Sequence, residues 1–311
     1  MSGANLNQDT WTYGAEHEWA DWHTTDPARP LPPGYGRDRK DITIVNSTGV
    51  ANDPKDKLHD RGGEINTPPT SSPWGQIGCM QELRALYPEA TVNYRSNLHL
   101  HIRVPGLRDD LDALKRVQAR IHEWMPRALP VIEPLEMGFI GKYSGLYPLS
   151  EIEKGWKRRL RRMRVSHQTL LPASRVAAQL AATTVEEFHA REVPVDRHGR
   201  VMWHAQPRVC VNLRQLRETD TVEFRHWPGT MRETELEAAL LWCQGFMVAA
   251  LEGDDPAFEA LLSWAQRQVF PRFQPYDHWL EERYRRTVHD GTIPRDQLPI
   301  NIANVLKETR P

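Results

Sequence analysis

The sequence has few cysteines, and they lie far apart. Cys79, Cys210 and Cys243 form no CxxC pair and no Cys/His spacing typical of a zinc site. This pattern indicates neither a disulfide scaffold nor a zinc ribbon. Since free thiols are typical of a reducing compartment, we expect a cytoplasmic protein.

Long apolar runs and an excess of charge of one sign are also missing. No uninterrupted apolar stretch approaches the ~20 residues that a membrane helix needs. The first residues, MSGANLNQDTWTYG, lack the charged and apolar regions of a signal peptide. The chain has 40 basic and 41 acidic residues, so its overall charge does not favour nucleic acid or a membrane surface. We expect no membrane association.

What the chain does have is enough apolar material for a sizeable core. Of its 311 residues, 39% are hydrophobic, and 11 are tryptophans. Its length fits one large domain spanning 1–311. Within it we expect a helical insertion at about 140–200 and a helical C-terminal part at 231–311.

Strand-like and helix-like segments alternate without a regular βαβ rhythm. NLHLHIRV at 97–104 is the clearest strand, because apolar and polar residues alternate over its whole length. Other strands are predicted at 11–22, 42–45, 64–69, 201–206, 208–213 and 221–227. Helices are predicted at 77–88, 107–125, much of 150–192, and 232–253, with a loop at 23–40. The pattern favours an α+β fold with a largely antiparallel sheet.

Three predicted strands carry a polar face of unusual composition opposite an apolar face. Side chains two positions apart share a face, which groups Glu16 with Glu18, His99 with His101 and Arg103, and Glu223 with Arg225. Each strand alone could simply have a solvent-facing side, as antiparallel sheets often do. Taken together, carboxylates and imidazoles suit divalent metals, and arginine suits phosphate. With Glu64 as a further carboxylate, the sequence predicts a metal–phosphate site.

Four motifs in a fixed order resemble the amidoligase family of the carboxylate–amine ligase superfamily, which is related to glutamine synthetase and glutamate–cysteine ligase. They are GAEHEW at 14–19, GGEINTPP at 62–69, HLHI at 99–102 and RVCVNLRQLRETDTVEFRHWPGT at 208–230. The last motif is the most specific. Asn97 is a difference, since family members usually carry a glycine shortly before His-x-His.

The resemblance implies a glutamine-synthetase-like curved sheet, largely antiparallel and forming a partly open barrel. It also implies ATP as cofactor with about two or three Mg²⁺ ions, or Mn²⁺ in their place. The implied reaction phosphorylates a small-molecule carboxylate, and an amine such as an amino acid or a polyamine then displaces phosphate. The products would be an amide or isopeptide-like bond, ADP and phosphate.

The resemblance also implies roles for individual residues. The metal ligands would be Glu16, Glu18, Glu64, His101 and Glu223. Nucleotide or phosphate would contact His99, His101, Asn212 and Arg225. Lys142 is a further candidate for phosphate binding because it lies beside glycines, although the GxxxxGK(S/T) signature is absent. The catalytic groups would be Glu18, Glu223 and Arg225. Either histidine of the pair could bind metal, and we prefer His101.

Several alternatives remain open from the sequence. A metal-dependent hydrolase could use the His/Glu cluster to activate water, although no HExxH motif supports it. A non-catalytic binding protein is a third class. The basic run 154–164 is typical of a solvated helical face, but it could dock a phosphorylated or nucleic-acid-linked substrate. Arg103 and Arg208 could contact substrate or lie on the surface.

Overall fold

A computed structural model describes residues 3–20, 29–38, 62–92, 96–132, 170–191, 198 and 209–271. The predicted strands at 42–45 and 201–206, the basic run 154–164, Lys142 and Arg208 lie outside these residues.

The described strands form one open antiparallel sheet. The strands are β1 (Thr12–Ala20), β2 (Gly36–Asp38), β3 (Gly62–Asn66), β4 (Asn97–Arg103), β5 (Val211–Asn212) and β6 (Val222–Pro228). Their order in the sheet is β2-β3-β1-β4-β6-β5, and every pairing is antiparallel. Within the described part of the chain β2 and β5 do not pair with each other, so the sheet has two edges. The mixed α+β class with an antiparallel sheet is thereby confirmed.

Seven α-helices are described alongside the sheet. They are α1 (Pro73–Leu86), α2 (Leu111–Ile132), α3 (Ala173–Leu180), α4 (Val185–Ala190), α5 (Gln215–Thr219), α6 (Glu233–Glu252) and α7 (Asp255–Ala265). Short 3₁₀ turns occupy Gln8–Thr10 and Leu107–Asp109. No helix among the described residues is both long enough and apolar enough to cross a bilayer.

The core lies between one face of the sheet and the longer helices. The apolar residues of β4, Leu98, Leu100 and Ile102, are fully buried, as the period-two alternation predicts. Helix α1 contacts β1, helix α6 contacts β4, and α2 packs on α6. The opposite face of β4 therefore carries the histidines.

A β-bulge interrupts the pairing of β4 with β6. Residues 98–100 of β4 lie opposite residues 224–227 of β6, so β6 has one residue more across this stretch. Such an insertion bends a strand and redirects its side chains. Within the bulge the ring of His226 packs in the core, and its centroid lies 5.8 Å from that of Trp242. The Arg225 side chain remains beside Glu223 on the polar face.

Some predicted boundaries were wrong. Helix α1 begins at Pro73 rather than 77, because proline suits the first helical position and the Ser72 hydroxyl accepts a hydrogen bond from the Gly75 N–H. Helix α2 continues through Pro126 and Pro130 to Ile132, where buried apolar side chains hold it against the core.

Two strand predictions also need correction. Strand β2 falls inside the segment predicted as a loop at 23–40. The strand predicted at 208–213 is only the two residues Val211–Asn212 within the described part.

Candidate functional site

The antiparallel register brings the polar strand faces together. Strand β1 lies between β3 and β4, and β6 lies between β4 and β5. Residues directly opposite each other in such pairs are close neighbours on one face. The opposed polar pairs are Glu18 with Glu64, Glu16 with His99, His101 with Glu223, and Asn212 with Glu223.

Part of this polar face is buried, unlike an ordinary solvent-facing strand surface. Glu18 and His99 are each 3% exposed, and Glu223 is fully buried. Burying a carboxylate is costly unless the charge is paired and hydrogen-bonded. The solvated-strand interpretation of these residues is therefore wrong, and their contacts define a site.

Glu16 bridges the two histidines of β4. One carboxylate oxygen, Oε2, lies 2.7 Å from Nδ1 of His99, and the other, Oε1, lies 3.1 Å from Nε2 of His101. Burial by itself would raise the pKa of Glu16. The hydrogen bonds and charges of His101 and His99 outweigh burial and hold that pKa well below its ordinary value.

His101 responds in the opposite direction. Burial opposes its protonation, but the hydrogen bond and charge of Glu16, together with the charge of Glu223, raise the pKa of His101. The nearby guanidinium of Arg225 lowers it in part. The two carboxylates therefore favour the protonated, positively charged form of this imidazole.

Glu223 is held from two sides. Asn212 donates from Nδ2 to its Oε2 at 2.8 Å, and Nη1 of Arg225 donates to its Oε1. The same Oε1 lies 3.6 Å from Nδ1 of His99. These contacts fix the orientation of a fully buried carboxylate on the polar face of β6.

Glu18 is held from the first residue of β4. Asn97 donates to Oε2 of Glu18 from its backbone N–H and from its side-chain amide. On the other side of β1, Glu64 lies directly opposite Glu18. The two side chains therefore share one face of the sheet.

Glu16, His101 and Glu223 could hold a metal ion together. Each offers one ligand atom, and the three atoms lie within 4.8 Å of one another. Carboxylate oxygens suit Mg²⁺, and the imidazole makes the set equally suited to Mn²⁺ or Zn²⁺. The donor set thus fits the divalent ion that the resemblance implies.

Most of the residues predicted for the site converge on this face. The group comprises Glu16, Glu18, Glu64, His99, His101, Asn212, Glu223 and Arg225. Lys142 and Arg208 lie outside the described residues, and their predicted roles stay predictions. Arg103 forms an ion pair with Asp220, its Nε lying 2.6 Å from Oδ2.

The tryptophans beside the motifs belong to the core. Trp19 and Trp227 are fully buried, and the indole Nε1 of Trp227 donates to Sγ of Cys243. Cys210 is also buried.

The sequence analysis did not predict two residues of the site. Asn97 holds Glu18, and Thr221 contacts His101, with its Oγ1 3.0 Å from Nδ1. Each is the first residue of a predicted strand, 97–104 or 221–227, where a polar residue is common for many reasons. The only available signal was this position at the start of a strand that carries site residues.

Comparison with known proteins identifies no relative. The sequence matches no family model and no curated protein, and the fold matches no solved structure. The chemistry of this face therefore has to be inferred from its own residues.

Proposed function

We propose that the protein is an ATP- and Mg²⁺-dependent carboxylate–amine ligase that releases ADP. The observation that supports it best is the convergence of buried and partly buried carboxylates, imidazoles and an arginine from neighbouring strands on one sheet face. ATP and a carboxylate substrate are both anionic, so a site that joins them needs cations. A glutamine-synthetase-like curvature of the sheet belongs to this proposal.

Glu16, His101 and Glu223 are the residues that would hold a divalent ion in this reaction. Their ligand atoms lie close enough together for a single ion. When bound, the ion neutralises charge on the phosphate oxygens. Burial and the contacts from His99 and Asn212 keep these side chains in place before substrate arrives.

Arg225 is the residue that would hold the transferred phosphoryl group. A guanidinium has five N–H donors, of which one reaches Glu223. Its Nε is buried and has no hydrogen-bond partner among the described residues. A phosphate oxygen would satisfy this donor, and arginine matches phosphate geometry.

The proposed reaction has two steps. A substrate carboxylate oxygen attacks the γ-phosphorus of ATP, the bond to the β-phosphate oxygen breaks, and ADP leaves. The amine nitrogen then attacks the acyl carbon, phosphate leaves with the bonding electrons, and the nitrogen loses a proton. The guanidinium of Arg225 offsets negative charge in both steps.

A metal-dependent hydrolase is the second candidate. The observation that favours it is the one-imidazole, two-carboxylate donor set of Glu16, His101 and Glu223, which could also hold a metal that activates water. A hydrolase requires no nucleotide, so the two candidates differ in a simple assay.

The test is ADP release from ATP and Mg²⁺ with pools of amino acids, polyamines and acidic acceptors. We expect release that needs both an acid and an amine. Glu223→Gln should lower it by at least about 100-fold, because the charge at the metal is lost. Glu259→Gln alters an exposed carboxylate paired with Arg127 and serves as the matched control with unchanged activity. Substrate turnover without ATP would instead support the hydrolase.

A further inference from the structure

We propose that Thr221 is a positioning residue that keeps a proton on Nδ1 of His101, so that Nε2 is the ring nitrogen that gives up its proton and binds the metal. This inference rests on the proposed metal site. Thr221 lies just before β6 and contacts the ring nitrogen that points away from Glu16.

The hydrogen bonds around Thr221 assign the proton on His101. The Thr219 hydroxyl donates to the backbone carbonyl of Gln215 at 3.1 Å, which uses its single proton. The hydroxyl oxygens of Thr219 and Thr221 lie 2.7 Å apart, and with the proton of Thr219 on the Gln215 carbonyl the donor in this contact is Thr221. In this arrangement Thr221 has used its own proton and accepts from Nδ1 of His101 at 3.0 Å. The inference therefore places a proton on Nδ1 of His101.

The other ring nitrogen faces the candidate metal ligands. Nε2 of His101 lies 3.1 Å from Oε1 of Glu16, and Glu223 lies directly opposite His101 in the sheet. A neutral imidazole with Nδ1 protonated presents a lone pair at Nε2. A metal ion between Nε2 and the two carboxylates would satisfy all three groups.

The turn before β6 positions the hydroxyl of Thr221. Asp220 has φ of 60°, the only non-glycine residue in the described part of the chain with positive φ. Its side chain accepts from Nε of Arg103, which lies two residues beyond His101 on β4. This contact ties the turn to β4 next to the histidine. The structure thus explains Arg103 as a support for the turn.

Removing the hydroxyl should therefore change the histidine and leave the fold intact. With valine at position 221, Nδ1–H of His101 would lose its acceptor. The neutral ring would then keep its proton on Nε2, where it donates to Glu16, and this tautomer cannot bind metal at Nε2. Loss of the group that orients a ligating histidine typically weakens metal binding by about 10- to 100-fold.

The experiment measures Mn²⁺ affinity by electron paramagnetic resonance of the free ion. Thr221→Val is compared with wild type, with Thr221→Ser, which keeps the hydroxyl, and with Glu16→Gln, which removes a proposed ligand. We expect Thr221→Val to bind about 10- to 100-fold more weakly, and Thr221→Ser to remain within about threefold of wild type. Urea unfolding checks that each variant is folded.

The variants distinguish failure of the positioning role from failure of the metal site. If Thr221→Val binds like wild type while Glu16→Gln does not bind, the positioning role is wrong and the metal site stands. If Thr221→Ser is as weak as Thr221→Val, the hydroxyl is not the cause, and the inference is overturned. If wild type and Glu16→Gln bind alike, the proposed metal site itself fails.

One measurement needs no variant. Long-range ¹H–¹⁵N spectra of the Mg²⁺-loaded wild-type protein report which ring nitrogen carries the proton. We expect His101 to be protonated on Nδ1. A proton on Nε2 would overturn the inference even if Thr221→Val does not fold.

Discussion

Asn97 donates two hydrogen bonds to a single carboxylate oxygen of Glu18, from its backbone N–H at 3.0 Å and from its side-chain amide at 2.6 Å. Both residues are buried. The first residue of β4 thereby fixes a carboxylate of the neighbouring β1, at the position where the resemblance leads one to expect glycine. Glycine could supply only the backbone bond.

Replacing Asn97 with alanine should destabilise the protein and loosen Glu18. Because a hydrogen bond to a charged group contributes more than a neutral one, Asn97→Ala should cost about 2 kcal/mol in the free energy of unfolding. Urea denaturation measures this cost. Asn97→Asp should cost more, since it places a second negative charge against Glu18. Equal stability of Asn97→Ala and wild type would show that the side-chain bond is unimportant.

Gly229 permits a close approach that the site depends on. A Cβ at this position would lie 2.6 Å from Cβ of Ser96, the residue before Asn97. Gly229→Ala should therefore cost about 1–3 kcal/mol and also weaken Mn²⁺ binding. Gly78→Ala is the matched control, because a Cβ on this helical glycine meets nothing within 4 Å. A loss of stability in the control as large as in Gly229→Ala would refute the steric explanation.

His226 should make the protein sensitive to acid. Burial among aromatic rings lowers its pKa from 6.5 to about 3, although the Cys210 carbonyl partly opposes this. Because the folded-state pKa is depressed, the unfolded chain takes up the proton first. The stabilisation is complete above pH 6.5 and falls as the pH drops towards 3.

The size of this effect can be measured by urea denaturation. Between pH 7 and pH 5 the wild-type protein should lose about 2 kcal/mol from this residue. His226→Phe keeps an aromatic ring and cannot titrate, so its loss over the same interval should be smaller by that amount. An identical pH dependence in the two proteins would contradict the assignment.

The turn at Asp220 offers a test of backbone strain. A left-handed conformation costs a residue with a Cβ about 1–2 kcal/mol, whereas glycine adopts it freely. Both Asp220→Ala and Asp220→Gly remove the partly exposed pair with Arg103, which is worth little by itself. Asp220→Ala should therefore unfold at lower urea than Asp220→Gly. Equal urea midpoints for the two variants would mean that the left-handed backbone conformation at position 220 does not affect stability.

Period-two alternation predicted much of the sheet and of the site. The pattern identified which side chains of β1, β4 and β6 share a face, and the polar sets of these three strands do lie together. The order of the strands could not be read from local pattern, because neighbours in the sheet such as β1 and β4 are far apart in sequence. The matching chemistry of the polar faces, together with motif similarity, suggested that they would meet.

Other features depend on tertiary packing and left no local signal. The bulge opposite His99 follows from the register of two strands, which neither sequence specifies alone. Helix α2 passes two prolines because its buried side chains beyond them pack in the core. Thr221 matters through its contact with His101, which is distant in sequence.

The proposed function requires this sheet face to bind a divalent metal and a nucleotide phosphate. The most direct test is anomalous diffraction from crystals grown with Mn²⁺ and ADP. The proposal predicts a Mn²⁺ peak bonded to Glu16, His101 and Glu223, with an ADP phosphate next to it and near Arg225. A fully occupied ADP site elsewhere, with no Mn²⁺ peak on this face, would contradict it.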